Sequence, residues 1–325
     1  MTTTTAKKLL RWFRIPVDLT LSLISIPAAI VLLAYRKAGS ARLPWTSRVL
    51  KTIGVFPIRR HYYEPLFEHS GLSRPLSDDR DLPGIDLNVS GQLAFVSSLE
   101  CSSELIEMQL DKPVNTATGF YLDNGFFGNA DADFLYQFLR KTKPFKIVEI
   151  GAGNSTKIAR LALLRNSSET NITPVHTCIE PYERKWLEQL PGVTIIRRRL
   201  EDCDFDWHTE LRSGDLLFVD SSHIIRPQGD VLIEYLTVFP KLASGVYIHI
   251  HDIFTPKDYL HGWVVDEVRF WNEQYLLEAL LSNTSRYEVV SALNYLKHHE
   301  YELLAKACPY LTPASEPGSI YLRVR

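Results

Sequence analysis

The sequence predicts an α/β fold built on a doubly wound, mostly parallel sheet of seven strands, and two observations predict it. From Phe145 onward, short apolar runs alternate with stretches of helical pattern. That alternation builds a parallel sheet with helices on its faces. The runs are apolar almost throughout rather than at every second residue, as strands covered on both sides are.

The elements follow in order along the chain. Lys146–Ile150 is a strand ending in a glycine-rich turn, and Ser155–Arg165 is helical. His176–Ile179 is a strand, Tyr182–Gln189 a short helix and Val193–Arg197 a strand. Leu216–Val219 is a strand, Val231–Leu242 a helix and Val246–Ile250 a strand. Phe270–Ser282 is helical, and Tyr287–Ser291 and Ser319–Val324 are closing strands. Upstream, Gly91–Leu110 and Ala130–Thr142 form a helical cap region. The second of these starts with Asp131 and carries Phe134, Leu135, Phe138 and Leu139 on one side. Residues 37–90, rich in Arg, Pro and aromatics, read as an irregular connection.

The chain has 325 residues, 45% hydrophobic and 23% charged, which suits a large globular domain with an appendage and excludes a disordered chain. A net charge of −2 offers no global basic surface, so no nucleic-acid partner is expected. Cys101, Cys178, Cys203 and Cys308 form no CxxC pair, which argues against a zinc site or disulfide framework and fits a reducing compartment.

Near the N-terminus, the uncharged run Leu19–Tyr35 is about 17 residues long, the lower limit for a membrane-spanning helix. Lys7, Lys8, Arg11 and Arg14 precede it, and Arg36 and Lys37 follow. Pro27 interrupts the helix, and Trp12 and Tyr35 suit headgroup depth. Residues 15–35 are therefore expected to attach the protein to a membrane, as a span or as a re-entrant segment. A buried helix of a soluble domain is the competing reading. The expected organisation is a membrane segment over 1–40, a connecting and cap region over 41–118, and a catalytic domain over 119–325.

The most informative segment is VEIGAGNST. Glu149 ends an apolar strand, Gly151 and Gly153 permit a tight turn with close backbone approach, and Asn154, Ser155 and Thr156 open a helix. Such a helix start favours a carboxylate or other anion. Glu180 ends the next strand, where an acid can accept hydrogen bonds from ribose hydroxyls. Glu201-Asp202 follows the third strand and is placed to meet an adenine amine. Each acid could instead be a solvated loop residue. Nicotinamide enzymes use a similar turn, but Asn154 stands where their fingerprint has its third glycine.

In this order the segments resemble class I S-adenosylmethionine (SAM)-dependent methyltransferases, from about Phe120 to the C-terminus. The resemblance implies a Rossmann-like sheet. It places Gly151 and Gly153 along the methionine part of SAM with Glu149 nearby, and Glu180 on the ribose. A SAM requirement in turn places the catalytic domain in the cytoplasm.

The fourth strand ends as DLLFVDSSH and the fifth as YIHIHDIF. Their tips bring Asp220, His223, His251 and Asp252 to the ligand side of the sheet. Two aspartates from adjacent strands can supply hard oxygen ligands for Mg²⁺, and His223 can take a proton from a hydroxyl. Turn capping by Asp220, a structural Asp252 and a solvated His223 are the simpler alternatives. His249 shares a face with His251 and is the better candidate for a packed histidine.

The arrangement resembles bacterial small-molecule and sugar methyltransferases with a D-x-x-H … H-D signature. It is also similar to catechol-type O-methyltransferases, in which a Lys stands at the position of His223. The resemblance implies metal binding by Asp220, Asp252 and His251, with His223 as base. It also implies methyl transfer to a hydroxyl of a small-molecule or sugar acceptor, and the membrane segment extends that expectation to a lipid-linked acceptor. A nicotinamide-dependent oxidoreductase and a non-catalytic SAM-binding membrane module are the rival readings. Tyr121, Asp123 and Asn124 could close over the cofactor or form an Asn-Gly turn; Arg226, Asp230 and Trp271 could line an acceptor pocket.

Overall fold

A computed structural model describes residues 3–114, 116–182 and 184–325, with side chains from residue 14 onward. The side chains of Lys7, Lys8, Arg11 and Trp12 lie outside those described. The chain divides into two compact units, residues 1–73 and 74–325.

In the first unit, α1 (Thr3–Ala38) runs through both Pro16 and Pro27 without a break. Each proline removes a single backbone donor, and the remaining ladder carries the helix. Among the described residues, Arg14–Ala38 is the one helix long and apolar enough to cross a membrane. A second helix, α2 (Pro44–Ile53), stands in the stretch expected to be irregular. Proline sits at its start and Gly54 closes it in the left-handed conformation, the terminal asymmetry that favours a helix. Tyr35 is buried, with its hydroxyl 2.5 Å from Ser47 Oγ, and the Arg36 guanidinium pairs with Glu64.

The second unit opens with α3 (Val89–Ser97) and α4 (Ser102–Met108). A single helix was expected there. It breaks because Gln137 captures the Cys101 amide at 2.8 Å. Gln137 belongs to α5 (Asp131–Thr142), which has acids in its first turn and Arg140 and Lys141 in its last, matching the helix dipole.

The sheet then forms as β1 (Lys146–Ile150), β2 (Val175–Ile179), β3 (Thr194–Ile196), β4 (Leu216–Val219), β5 (Tyr247–Ile250), β6 (Tyr287–Ala292) and β7 (Ile320–Val324). The strand order is β3-β2-β1-β4-β5-β7-β6. All pairs are parallel except those of β7, which runs antiparallel to β5 and β6. This is the doubly wound, mostly parallel sheet the sequence predicts. One core layer packs under α5 and α6 (Asn154–Thr170), around Phe134, Phe138 and Ile158. The other packs around Val219, Phe239 and Ile250.

Three connections differ from expectation. The helix expected over 182–189 is only a short 3-10 turn at Leu187–Gln189, because the Glu180 carboxylate takes the Tyr182 N–H at 2.9 Å. The helix after β4 begins as α7's successor, α8 (Asp230–Ile233; α7 is Trp207–Glu210), and continues as a π turn at Glu234–Val238. Helix α9 (Glu273–Leu281) starts at Glu273 rather than Phe270, since the amides of Asn272 and Glu273 both donate to the His223 carbonyl, at 3.0 and 3.2 Å. Two further helices, α10 (Leu293–His299) and α11 (Tyr301–Ala307), fill the β6–β7 crossover.

Candidate active site

The strand order reverses between β1 and β4, and open α/β sheets bind ligands at the carboxyl ends of strands around such a point. Gly151 follows β1 there with φ +81°, and a Cβ on it would stand 2.0 Å from the Asp220 carbonyl oxygen. Only glycine fits this close approach of the β1 loop to the β4 tip.

A cavity of about 290 Å³ opens at this point, lined by Gly151, Glu180, Glu201, Asp220, Arg226 and Asp230 among others. Backbone donors hold Glu180: one oxygen accepts from the Ala152 N–H at 3.2 Å, the other from Tyr182. Glu201 pairs with Arg226 at 3.0 Å. Asp202 turns to the surface instead and pairs with Arg199 at 3.0 Å, because the 3-10 turn Leu200–Asp202 separates the two neighbouring side chains. Arg226 and Asp230, candidates for the acceptor pocket, line this cavity instead.

Glu149 and Ser155 are not in the cavity lining. Both lie buried beneath the loop, where Glu149 accepts from Ser155 Oγ at 2.6 Å and from Cys178 Sγ at 3.2 Å. His176 Nε2 is 3.1 Å from the same carboxylate. Glu149 thus ties the loop and the first turn of α6 to β2. Asn154 reaches sideways, donating to Asn124 Oδ1 at 3.0 Å. Asn124 also accepts the amides of Phe126 and Phe127, so the 121–127 segment is an Asn-anchored turn bound to the glycine loop.

At the other tips the four chemistry-bearing residues converge. His223 Nε2 is 3.3 Å from both Asp220 Oδ1 and Asp252 Oδ2. His251 Nδ1 is 3.4 Å from Asp220 Oδ1 and 3.5 Å from Asp252 Oδ1. His223 and Asp252 both have φ of +59°, a region unfavourable for side-chain-bearing residues and concentrated at functional sites. His223 Nδ1 is 2.9 Å from Glu273 Oε2, a fully buried carboxylate that also accepts from Tyr235. Trp271 packs its ring 4.4 Å from the His223 ring, just outside α9. A second cavity of about 340 Å³ reaches His251 and Asp252 from the other side and is lined by Asp123, Phe126, Trp263 and Glu316.

The charges interlock. Burial alone would lower both imidazoles. At His223, Asp220, Glu273 and Asp252 outweigh it and hold the ring well above the usual histidine range. At His251, Asp252, Asp220 and Asp131 do the same. Burial would raise Asp220, yet His251 and His223 hold it well below the usual carboxylate range. Asp252 stays raised, burial outweighing the two histidines. His249 is lowered, first by burial and then by His251. It hydrogen-bonds Ser319 Oγ at 2.8 Å and stacks on Tyr321, the packed histidine of the pair.

Residues 148–253 match a family model described as a methyltransferase domain. Over this stretch the chain is similar to methyltransferase domains. An uncharacterized protein of Archaeoglobus fulgidus is 28% identical over 170 residues, 49% of this chain and 75% of its own. Among solved structures, the O-methyltransferase TomG of Streptomyces achromogenes, in complex with SAM, is 14% identical at a TM-score of 0.36. That match covers 71% of this chain and 89% of TomG. A SAM-dependent methyltransferase of Archaeoglobus fulgidus is 12% identical at a TM-score of 0.33, covering 62% and 96%.

Two residues of this domain's site were not legible in the sequence. Glu273 lies 50 residues beyond His223 in a stretch that reads as ordinary amphipathic helix. Glu234 is fully buried in the π turn, with one carboxylate oxygen on Ser221 and the other without a partner. Burial, Glu273 and Asp230 raise its pKa well above the carboxylate range. An acid within a largely apolar helical stretch was the signal for either.

Proposed function

We propose that this chain transfers the SAM methyl group to a hydroxyl of a small-molecule, sugar or lipid-linked acceptor, assisted by a divalent cation. One observation carries the reading: Asp220, which lines the cofactor cavity, touches both His223 and His251, and the second cavity opens onto His251 and Asp252. Donor and acceptor would thus meet at the β4 and β5 tips.

The donor set, two carboxylates with imidazole nitrogens beside them, fits a divalent cation. Ligand atoms of Asp220, His223 and Asp252 lie within 4.8 Å of one another, and His251 Nδ1 is buried without a hydrogen-bond partner. Asp220, Asp252 and His251 would hold the ion. When bound it would lower the pKa of the acceptor hydroxyl and align it. The neighbouring carboxylates raise both imidazoles, and a divalent ion on Asp220 and Asp252 would offset those charges; His223 acts as base in its neutral form. His223 Nδ1–H then donates to Glu273, which fixes the tautomer, and Nε2 takes the hydroxyl proton. The oxygen attacks the sulfonium methyl in line, the C–O bond forms as the C–S bond breaks, and S-adenosylhomocysteine leaves. Most of the acceleration comes from positioning.

Glu180 would hold the ribose, and Glu201 is the acid at the cavity for the adenine. Residues 15–35 would hold the protein on the membrane with this domain in the cytoplasm, raising its effective concentration near a lipid-linked acceptor. The deciding experiment is calorimetric binding of S-adenosylhomocysteine to the protein in detergent. We expect micromolar affinity in the wild type and about 10- to 100-fold weaker binding in Glu180→Ala, the cost of a hydrogen bond to a charged group. Absence of binding by folded wild-type protein would overturn the assignment of the cavity.

A further inference from the structure

We infer that α2 and the turn before it form a docking surface for the anionic headgroups of a phospholipid bilayer, separate from the catalytic site. The inference rests on the reading of α1 as a membrane segment, but on different residues.

The first observation is charge. Between Asp18 and Glu64 the chain contains no acidic residue, while Arg36 and Lys37 in the last turn of α1 and Arg42, Arg48, Lys51, Arg59 and Arg60 after it supply seven cations. Arg36 and Arg59 face Glu64, and Arg60 faces Glu68. Among the described residues no acid is paired with Lys37, Arg42, Arg48 or Lys51. A cluster of this size beside an apolar helix is attracted to an anionic leaflet by about 1 kcal/mol per cation near the surface.

The second observation is shape. Trp45, Val49 and Ile53 recur every four residues along α2 and so share one face. All three are exposed, Trp45 by 75%. Val55 and Phe56 extend that apolar surface past Gly54 and are exposed too. Lys51 lies on the opposite side of the helix from Val49 and Ile53, and Arg48 lies on the flank of the apolar face. They line an open recess of about 650 Å³ with the hydroxyl-bearing Ser40, Ser47 and Thr52. The Arg48 guanidinium lies 5.1 Å over the Trp45 ring.

An exposed apolar stripe beside basic residues is what lets a helix lie in the plane of a bilayer interface. Here α1, whose apolar window is entirely unburied, would bring the bilayer to α2. Trp45, Val49 and Ile53 would enter the acyl boundary, while Arg48, Lys51 and the Ser40 and Thr52 hydroxyls meet phosphate oxygens. Anionic lipid is the occupant that satisfies the stripe and the unopposed cations together.

The test is amide hydrogen exchange on the full chain in nanodiscs of phosphatidylcholine, alone or mixed with phosphatidylglycerol. The wild type is compared with the double variant Arg48→Glu, Lys51→Glu, and S-adenosylhomocysteine binding reports an intact catalytic domain. We expect residues 44–53 to exchange on the order of tenfold more slowly in the anionic discs, and the variant to lose that difference. Equal exchange in both lipids would overturn the inference, as would lipid-dependent protection surviving in the variant. Exchange over residues 19–35 reads α1 separately: free exchange there with α2 still lipid-dependent would refute insertion of α1 while supporting headgroup docking.

Discussion

The loop after β1 and the tips of β4 and β5 lie side by side, yet their polar groups are in opposite conditions. In the loop every charge is answered from within the protein. Glu149 is met by Ser155, His176 and Cys178, and Glu180 by two backbone amides. At the tips, two aspartates and two histidines press on one another at 3.3 to 3.5 Å. Two backbones there are left-handed, and His251 Nδ1 is an orphan. His176 Nδ1 is buried without a partner, but the two carboxylates are fully met, and a satisfied network rigidifies, which fits the proposed cradle for the donor. Crowded, incompletely satisfied charges await a ligand, so the tips suit the chemistry. Stability and activity should accordingly separate between the two regions.

The sharpest test of that separation is Asp252→Asn. With the tips as the chemical centre, methyl transfer should fall on the order of 10³-fold or more, while S-adenosylhomocysteine affinity and the urea midpoint hold. A midpoint that fell with the activity would mean the tips are structural, and the contrast would collapse.

Glu273→Gln should come next. The amide keeps the shape but removes the charge that orients His223. We expect kcat to drop about 10- to 100-fold, the usual cost of losing an orienting carboxylate behind a histidine, with the acceptor KM little changed. Recovery of activity in Glu273→Asp would favour orientation; a rise in KM alone would point to the acceptor pocket instead.

The smallest effect on turnover belongs to Glu149→Gln. Three donors converge on this buried carboxylate, and weakening them should cost stability by about 1–3 kcal/mol, read as a lower urea midpoint. Turnover at saturating SAM should stay near the wild-type value. A large loss of kcat without loss of stability would place Glu149 in the chemistry and erase the distinction between the regions.

The strands, the glycine loop and the two acidic tips were legible because each is local. A period of apolar residues, a Gly-x-Gly after a strand and an acid at a strand end are all written within a few positions. Gly151 illustrates this: its need for a positive φ is visible as a glycine before the Asp220 carbonyl that demands it is known. The helix breaks were not legible, because distant partners impose them, as Gln137 does on Cys101 and the His223 carbonyl on α9.

By itself, then, the sequence determined the sheet and its ligand edge, and it nominated Asp220, His223, His251 and Asp252 as the residues at the strand tips. Only the tertiary structure decided which acids face the cofactor cavity, burying Glu149 beneath the loop and turning Asp202 out to Arg199. It also decided which carboxylate stands behind His223. Strand position along the chain and side-chain period are properties of the chain's own repeat, whereas the partner of a buried charge is set by whatever the fold carries to it, here Glu273 from 50 residues away.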